Sequence, residues 1–300
     1  MNLNDFYPAL VTEDLEIIHN PFATTHQDLI DSYKNILNRE YMLITFSPGG
    51  RLDQIDKYVL IINQNNIPSW FNDEIKEIVT EMLKIILNKM IITRHEKLVL
   101  NRGVILSGNA IVDAIKNSKI FSMYDNSHVG LLTSNSEVIE MNDNSLIDEV
   151  VENSFILEMF NNAKINNIHG GGRVFNMRDN SKIIKMNGNS RVDFLKGHSS
   201  VKTMDNRSFV YSLHHMSVVN KMYCNASIDE MWDWSVVGEM YDNSIINYMD
   251  NDSKVKSMHD NTKINQMYGN SIVEEKNDHA VVEKINELAK ILRDKINSNQ

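Results

Sequence analysis

The sequence predicts a mainly β protein whose larger part is a parallel β-solenoid of nonapeptide repeats, with two repeats in each coil. A small α+β domain precedes the solenoid, and a C-terminal helix caps it. Three observations predict the solenoid. A large apolar residue occupies every ninth position from Met123 to Met267, Val or Ile follows each of them six residues later, and a small residue follows four residues later.

Residues 1–100 form the predicted N-terminal domain, which contains all four prolines of the chain. Thr24 or Thr25 is the expected N-cap of a first helix. The apolar face of that helix comprises Leu29, Ile30, Tyr33, Ile36 and Leu37.

The rest of this domain mixes strand and helix signals. Tyr41–Phe46 predicts a strand that ends at a Pro-Gly-Gly turn, whereas periodicity leaves the apolar run Tyr58–Ile62 unassigned. Asn72 is the expected start of a second helix that runs to about Met90. Its predicted apolar face comprises Ile75, Ile78, Val79, Met82, Ile85 and Ile86.

The predicted solenoid spans residues 101–280, and its first recognisable repeat begins near Asn109. In each repeat the small residue and the Val or Ile are two positions apart, so both point to one face of a strand. The chain then bends at Met and at an (Asp/Gly)-Asn pair, residues that accept left-handed backbone conformations. Stacked coils place like residues on one another at about 4.8 Å per coil.

The repeats in which another residue replaces the Asn indicate how many residues one coil contains. His198, Met216, Trp234 and Asp252 replace Asn at intervals of eighteen residues, while Asn225, Asn243 and Asn261 keep it between them. Independent variation of alternate repeats favours two repeats per coil and a flattened solenoid with two sheets. A triangular coil of twenty-seven residues is the alternative.

The period changes in residues 281–300, where a capping helix is predicted. Such a helix would cover strand edges that an open solenoid leaves unpaired. The apolar residues of this segment fall on one helical stripe, which comprises Val281, Ile285, Leu288, Leu292 and Ile296.

Composition restricts the expected cellular location and the expected classes of partner. The single cysteine, Cys224, excludes an intramolecular disulfide framework, which suits the cytoplasm or a virus particle. No signal peptide or apolar run of membrane-spanning length is expected, so no membrane partner is predicted. The net charge of −10 argues against a general nucleic-acid binder.

No catalytic, metal-binding or cofactor-binding residues stand out. The Asp residues beside the Asn column resemble those of calcium-binding β-rolls, but the GGxGxD turn is missing, and turn chemistry explains them better. His214-His215 and the isolated Cys224 do not make a zinc motif. The segment Ser47–Arg51 lacks the spacing and lysine of a phosphate-binding loop.

Departures from the repeat supply the candidate binding surface. Exposed aromatic residues mark contacts with proteins or carbohydrates. Packing against another part of the chain or a second subunit explains them equally well. The candidate residues are His198, Met216, Tyr223, Trp232, Trp234, Tyr241 and Asp252.

Charge along the repeats is banded. Residues 123–160 sum to −8, residues 161–221 to +7 and residues 222–275 to −7. Neutral drift of residues on a solvated surface can produce such a pattern. Lateral association is the alternative, in which the basic band of residues 161–221 lies against an acidic band of a partner.

The repeats resemble the (Asp/Gly)-Asn-(Ser/Ala)-x-Val-x-x-Met arrays of uncharacterised β-solenoid proteins from gut bacteria and their phages. The segment MYDNSIINYMDNDSKVKSMHDNTKINQMYGNSIV at residues 240–273 carries the likeness, which covers a little over half of the chain. The resemblance implies a solenoid architecture and a phage setting, and brings no activity with it.

Taken together, these features favour a non-enzymatic structural or interaction protein, a rigid scaffold or spacer that binds a protein partner or its own copies. One alternative is an inhibitor that binds a host enzyme through the banded surface. Another is an enzymatic N-terminal domain with the solenoid as its targeting arm.

Overall fold

The computed structural model describes residues 7–20, 23, 25–33, 39–286 and 288–295. The chain divides into two compact units, residues 1–92 with 102–106, and residues 93–101 with 107–300. The first unit contains an antiparallel sheet of order β2-β1-β3-β4 and two α-helices. Its elements are β1 (Pro8–Thr12), β2 (Ile17–His19), α1 (His26–Ser32), β3 (Tyr41–Ser47), a 3-10 helix (Ile55–Lys57), β4 (Val59–Ile62) and α2 (Asp73–Met90).

Helix α1 begins as the sequence predicts, at Thr25. The Thr25 hydroxyl accepts a hydrogen bond from the Asp28 N–H, and the Asp28 carboxylate accepts one from the Thr25 N–H. This reciprocal pair satisfies N–H groups that the first turn leaves free. Leu29 is buried against Leu10, which ties the helix to β1. The other proposed cap, Thr24, and the predicted face residues Ile36 and Leu37 lie outside the described residues.

Helix α2 also begins at its predicted cap, with the Asn72 side chain accepting a hydrogen bond from the Ile75 N–H at 3.0 Å. Its predicted apolar face is wrong in part, because Ile78 and Ile85 are exposed. Isoleucines lie all around this helix, so their spacing alone does not select one stripe. Packing selects instead the line of Val79, Leu83, Leu87 and Met90.

The remaining strands are short and nearly uniform. They are β5 (Ile91–Ile92), β6 (His95–Leu100), β7 (Gly103–Leu106), β8 (Ile111–Lys116), β9 (Lys119–Met123), β10 (His128–Thr133), β11 (Glu137–Met141), β12 (Leu146–Val150), β13 (Phe155–Met159), β14 (Lys164–Ile168), β15 (Arg173–Met177), β16 (Lys182–Met186), β17 (Arg191–Leu195), β18 (Ser200–Met204), β19 (Phe209–Leu213), β20 (Val218–Met222), β21 (Ser227–Met231), β22 (Val236–Met240), β23 (Ile245–Met249), β24 (Lys254–Met258), β25 (Lys263–Met267), β26 (Ile272–Asn277), β27 (Val281–Ile285) and β28 (Lys290–Lys295).

The predicted parallel β-solenoid is confirmed. Even-numbered strands from β6 to β28 form one parallel sheet, which we call the even sheet, and odd-numbered strands from β9 to β27 form the odd sheet. From β9 onward each paired residue lies opposite the residue eighteen positions later, as Val129 does with Ile147 and Met141 with Met159. The pairs β6–β8 and β8–β10 are offset by sixteen and seventeen residues. The coil therefore holds two repeats, and the alternative coil of twenty-seven residues is wrong.

Parallel pairing starts earlier than the repeat does. Strand β6 pairs with β8 and places Glu96 beside Val112 and Val99 beside Ile115. Because Glu96 occupies the position where later coils have Val or Ile, the nonapeptide pattern does not show this strand.

The interior of the solenoid consists of three stacked columns, as the spacing predicts. Val201, Met204 and Ser199 illustrate them, and all three are 0% exposed. Stacking identical apolar side chains removes their surfaces from water coil after coil, at about 25 cal/mol for each Å² of apolar area. The hydrophobic columns therefore supply most of the stabilisation.

The corners of the coil depend on left-handed backbone. The residue two positions after the inward Met has positive φ, for example +57° at Asp242 and +66° at Gly197. At Asp residues the side chain also accepts a hydrogen bond from the N–H one coil earlier, as Asp242 does from Cys224 at 2.8 Å. Turn chemistry is thus the structural role of these carboxylates.

Asn side chains stack as predicted near the start of the solenoid. The Asn126 amide donates to Asn109, Asn144 to Asn126 and Asn162 to Asn144, at 3.3 to 3.4 Å. These bonds run along the axis and tie adjacent coils together.

The predicted C-terminal helix is wrong over the described residues, which form strands β27 and β28 instead. The nine-residue pattern continues there, with Ala280 and Val282, and then Ala289 and Ile291, at the inward positions. Strand β27 pairs with β25, and β28 with β26, so the preceding coil provides the template. The expected helical stripe is exposed at Val281, Ile285, Leu288 and Leu292, while Ile296 lies outside the described residues.

The buried Ser column yields a stability prediction. The Ser244 hydroxyl is buried and has no hydrogen-bond partner, whereas the Ser136 hydroxyl donates to the Thr133 carbonyl at 2.6 Å. Ala226 occupies the same column and is equally buried. We expect Ser244→Ala to raise the free energy of unfolding by about 1 kcal/mol, because it removes an unsatisfied polar group.

Urea unfolding followed by circular dichroism measures this effect. The matched control is Ser136→Ala, which removes a bonded hydroxyl and should lower stability by about 1 kcal/mol. Equal losses in the two variants would contradict the assignment of Ser244 as unsatisfied.

Candidate interaction surfaces

The seven candidate residues lie on two edges of the solenoid, and so do not form one site. The first edge consists of the turns that lead from the odd sheet into the even sheet. It carries His198, Met216, Trp232, Trp234 and Asp252. The second edge consists of the turns that lead back, and carries Tyr223 and Tyr241.

On the first edge, the four residues that replace Asn are stacked one coil apart, as their spacing predicts. Met216 and Trp234 are the most exposed apolar residues of this column, at 51% and 60%. Trp232 is held more firmly: its indole N–H donates to Glu230 at 3.0 Å, and its ring lies 5.1 Å from that of Tyr248. Trp234 therefore presents the larger free surface.

On the second edge, Tyr223, Tyr241 and His259 form a stack of nearly parallel rings. The centroids are 5.1 Å apart between Tyr223 and Tyr241, and 4.8 Å apart between Tyr241 and His259. In such a stack the ring faces are covered by neighbouring rings. Sugar stacking needs an open aromatic face, so this geometry favours packing between coils over a carbohydrate platform.

Polar contacts brace the same stack. Glu239 accepts hydrogen bonds from the Lys221 ammonium at 2.7 Å and from the Tyr241 hydroxyl at 2.6 Å. The bond from Lys221, followed by that from Tyr241, lowers the pKa of Glu239. The same carboxylate raises the pKa of Tyr241. At neutral pH the Glu239 side chain is therefore ionised and holds both partners.

A Ser–His contact resembles a catalytic pair but is part of the architecture. The Ser212 hydroxyl lies 2.9 Å from His214 Nε2, and burial lowers the pKa of His214. Ser212 is 1% exposed, however, so a substrate has no approach to its oxygen. The same contact across the corner recurs between Ser257 and His259 at 3.2 Å.

The structure reveals a surface that the sequence reasoning missed. Outward side chains of β13, β15, β17 and β19 form a contiguous patch on the odd sheet, which we call the aromatic–arginine face. Each of the seven members of this face is at least partly exposed. Its members are Phe155, Arg173, Phe175, Arg191, Phe194, Phe209 and Tyr211.

Ring contacts organise the patch. The Phe194 ring meets Phe175 and Tyr211 edge to face, with centroids 5.5 and 5.7 Å apart. The Arg173 guanidinium lies over Phe155 at 5.7 Å, and that of Arg191 lies over Phe209 at 5.2 Å. These contacts fix the side chains in place before any partner arrives.

Asp193 neutralises part of the basic band on this face. Its carboxylate is buried and pairs with both Arg173 and Arg191. Arg173 and Arg191 are direct neighbours in the strand register, so their positive charges would repel each other without the Asp193 carboxylate. In the sequence, Arg173, Arg191 and Asp193 lie at outward positions of alternate repeats, and this spacing is the signal that places them on one sheet. The sum of charges along the chain assigned both arginines to the basic band and did not show this grouping.

The first unit has a groove of about 610 Å³ beside the 3-10 helix and α2, lined by Asp53, Asp56, Glu81 and Lys84 among others. Asp53 pairs with Arg51, and Glu81 pairs with Lys84, both at 2.8 Å. Across the residues that the structure describes, no group of three or more His, Cys, Asp or Glu side chains is placed to hold a metal ion. This groove therefore presents paired charges and no grouped ligand set.

Comparison of the chain with protein-family models, with curated proteins and with solved structures gave no match. Among the described helices, none has the length and hydrophobicity that crossing a membrane requires. The geometry of the solenoid surfaces is therefore the basis for a functional assignment.

Proposed function

We propose that this protein is a non-enzymatic interaction scaffold, a rigid β-solenoid that binds a partner protein through its aromatic–arginine face. One observation carries the proposal. Phe, Tyr and Arg side chains, the types enriched at protein interfaces, form a contiguous patch on the outer surface of the odd sheet.

Rigidity supports a scaffold role. The coils keep one register of eighteen residues from β9 to β28, with every strand paired to its neighbours on the same sheet. Outward side chains therefore hold fixed positions at about 4.8 Å intervals. A preorganised surface loses little conformational entropy when a partner binds.

The setting belongs to the same proposal. The resemblance of the repeats to arrays from gut bacteria and their phages favours a phage particle or a phage-encoded component, in the virion or the host cytoplasm. An inhibitor of a host enzyme would use the same face, and identification of the partner separates the two roles.

The test is affinity capture from the native source with matched variants. We expect Phe175→Ala with Tyr211→Ala to weaken binding of the captured partner about thirtyfold or more, because loss of a single central interface aromatic costs about 2 kcal/mol or more. The control, Asn247→Ala with Asn265→Ala, changes the same outward position on β23 and β25.

Capture is followed by measurement of the dissociation constant with the purified partner. Circular dichroism checks that each variant is folded. Equal affinity of the two double variants for the partner would refute this face as the binding surface.

A further inference from the structure

Four lysines lie close together on the outer face of the even sheet. Lys164 is on β14, Lys182 and Lys185 are on β16, and Lys202 is on β18. All except the half-buried Lys164 are exposed. We call them the lysine face, which lies on the sheet that does not carry the aromatic–arginine face.

Three of the four lysines of the lysine face lack the ion-pair partners that comparable lysines have. On the same sheet Lys221 pairs with Glu239 at 2.7 Å, and Lys254 with Glu274 at 3.1 Å. Lys185 reaches Asp205 only at 4.0 Å. No ion pair to a described residue involves Lys164, Lys182 or Lys202, so this part of the surface keeps its positive charge.

Strand register places like charges together on this face. Lys164 and Lys182 are direct neighbours across β14 and β16. Like charges in this arrangement destabilise a sheet. An anionic ligand would relieve the repulsion, which makes the folded face complementary to negative charge.

We propose that the lysine face binds an acidic polypeptide segment of a partner protein. The face is bounded along the axis by acids, Asp148 and Glu149 on β12 and Glu239 on β22. From β12 to β22 is about 24 Å at the usual strand spacing. A long nucleic acid would cross these acids, whereas an acidic segment of limited length fits between them.

The side chains between the lysines agree with this choice of ligand. The neighbouring outward residues on the three strands are Asn166, Asn167, Ile184, Ser200 and Thr203. None of the five has a ring on which a base could stack, the contact that single-stranded nucleic acids use. Ile184 offers an apolar contact, and the hydroxyls and amides offer hydrogen bonds to a peptide.

This inference stands apart from the proposed function, because it involves a different sheet and different residues. The test uses a fluorescently labelled polyglutamate peptide and measures its dissociation constant by anisotropy at low salt and at about 0.15 M salt. The full-length protein is compared with the variant Lys164→Gln/Lys182→Gln/Lys202→Gln. The control is Lys254→Gln/Lys256→Gln/Lys263→Gln, which removes the same number of charges elsewhere on the solenoid.

We expect the lysine-face variant to bind polyglutamate about tenfold more weakly, and the control to change affinity less than about twofold. An unlabelled single-stranded oligonucleotide is tested as competitor. Equal loss in the two triple variants, or no binding at low salt, would overturn the proposal. An oligonucleotide that binds more tightly than polyglutamate, and loses affinity in the lysine-face variant, would assign the face to phosphate instead. The polyglutamate affinities do not depend on whether Phe175→Ala with Tyr211→Ala weakens binding of the partner, so the two proposals can fail separately.

Discussion

Replacing Val219 by Asp is expected to lower the free energy of unfolding by about 4 kcal/mol, more than any other substitution proposed for the solenoid. Val219 is 0% exposed in the inward column, between Val201 and Val237 on the adjacent strands. A carboxylate at this position would lie among apolar side chains with no cation to pair with it. Urea unfolding monitored by circular dichroism gives the measurement.

The neighbouring substitution Asn220→Asp provides the control. Asn220 is on the same strand but is exposed, so the same new side chain remains in water. Its stability should change by less than about 0.5 kcal/mol. Similar losses at both positions would mean that the strand does not present Val219 to the interior.

The second large effect is expected at a corner of the coil. Asp242 has φ +57° and accepts a hydrogen bond from the Cys224 N–H. Asp242→Val puts a β-branched residue into left-handed backbone, which costs about 1–2 kcal/mol. It also removes the acceptor, so the total loss of stability should be about 2–4 kcal/mol.

Two further variants separate these contributions. Asp242→Gly accepts the left-handed conformation and loses only the hydrogen bond, so its loss should be about 1 kcal/mol. Asp242→Asn keeps both an oxygen acceptor and tolerance of positive φ, and should be close to neutral. The order Val, Gly, Asn in decreasing loss is the expected result in thermal or urea unfolding, and a Gly variant as unstable as the Val variant would contradict it.

Much of the solenoid follows from local sequence. The eighteen-residue spacing of His198, Met216, Trp234 and Asp252 predicts the coil, because these replacements of Asn recur on one edge. On the other edge Asn225, Asn243 and Asn261 keep the Asn, although Arg207 does not. The inward columns of small, β-branched and Met residues are legible because each coil repeats the same environment. Thr25 and Asn72 are likewise readable as helix caps, since capping depends on a few adjacent residues.

The C-terminal segment shows where local reading fails. Residues 281–295 fit both a helical stripe and the nine-residue pattern. Isolated segments choose by intrinsic preference, but here the unpaired edges of β25 and β26 accept β27 and β28. Pairing with an existing strand satisfies backbone groups along the whole segment, and so the strand prevails.

By itself the sequence determined the solenoid and the residues of its interior, and favoured a coil of eighteen residues, because these depend on periodicity along the chain. Only the tertiary structure decided how the surface is divided. It places Arg173 and Arg191 with the aromatic rings and Asp193 on one sheet, and Lys164, Lys182 and Lys202 on the other. The chemistry of each surface depends on which residues, eighteen positions apart in the chain, meet in adjacent coils, and on which sheet they lie. A sum of charges along the chain mixes the residues of the two sheets and so does not show this division.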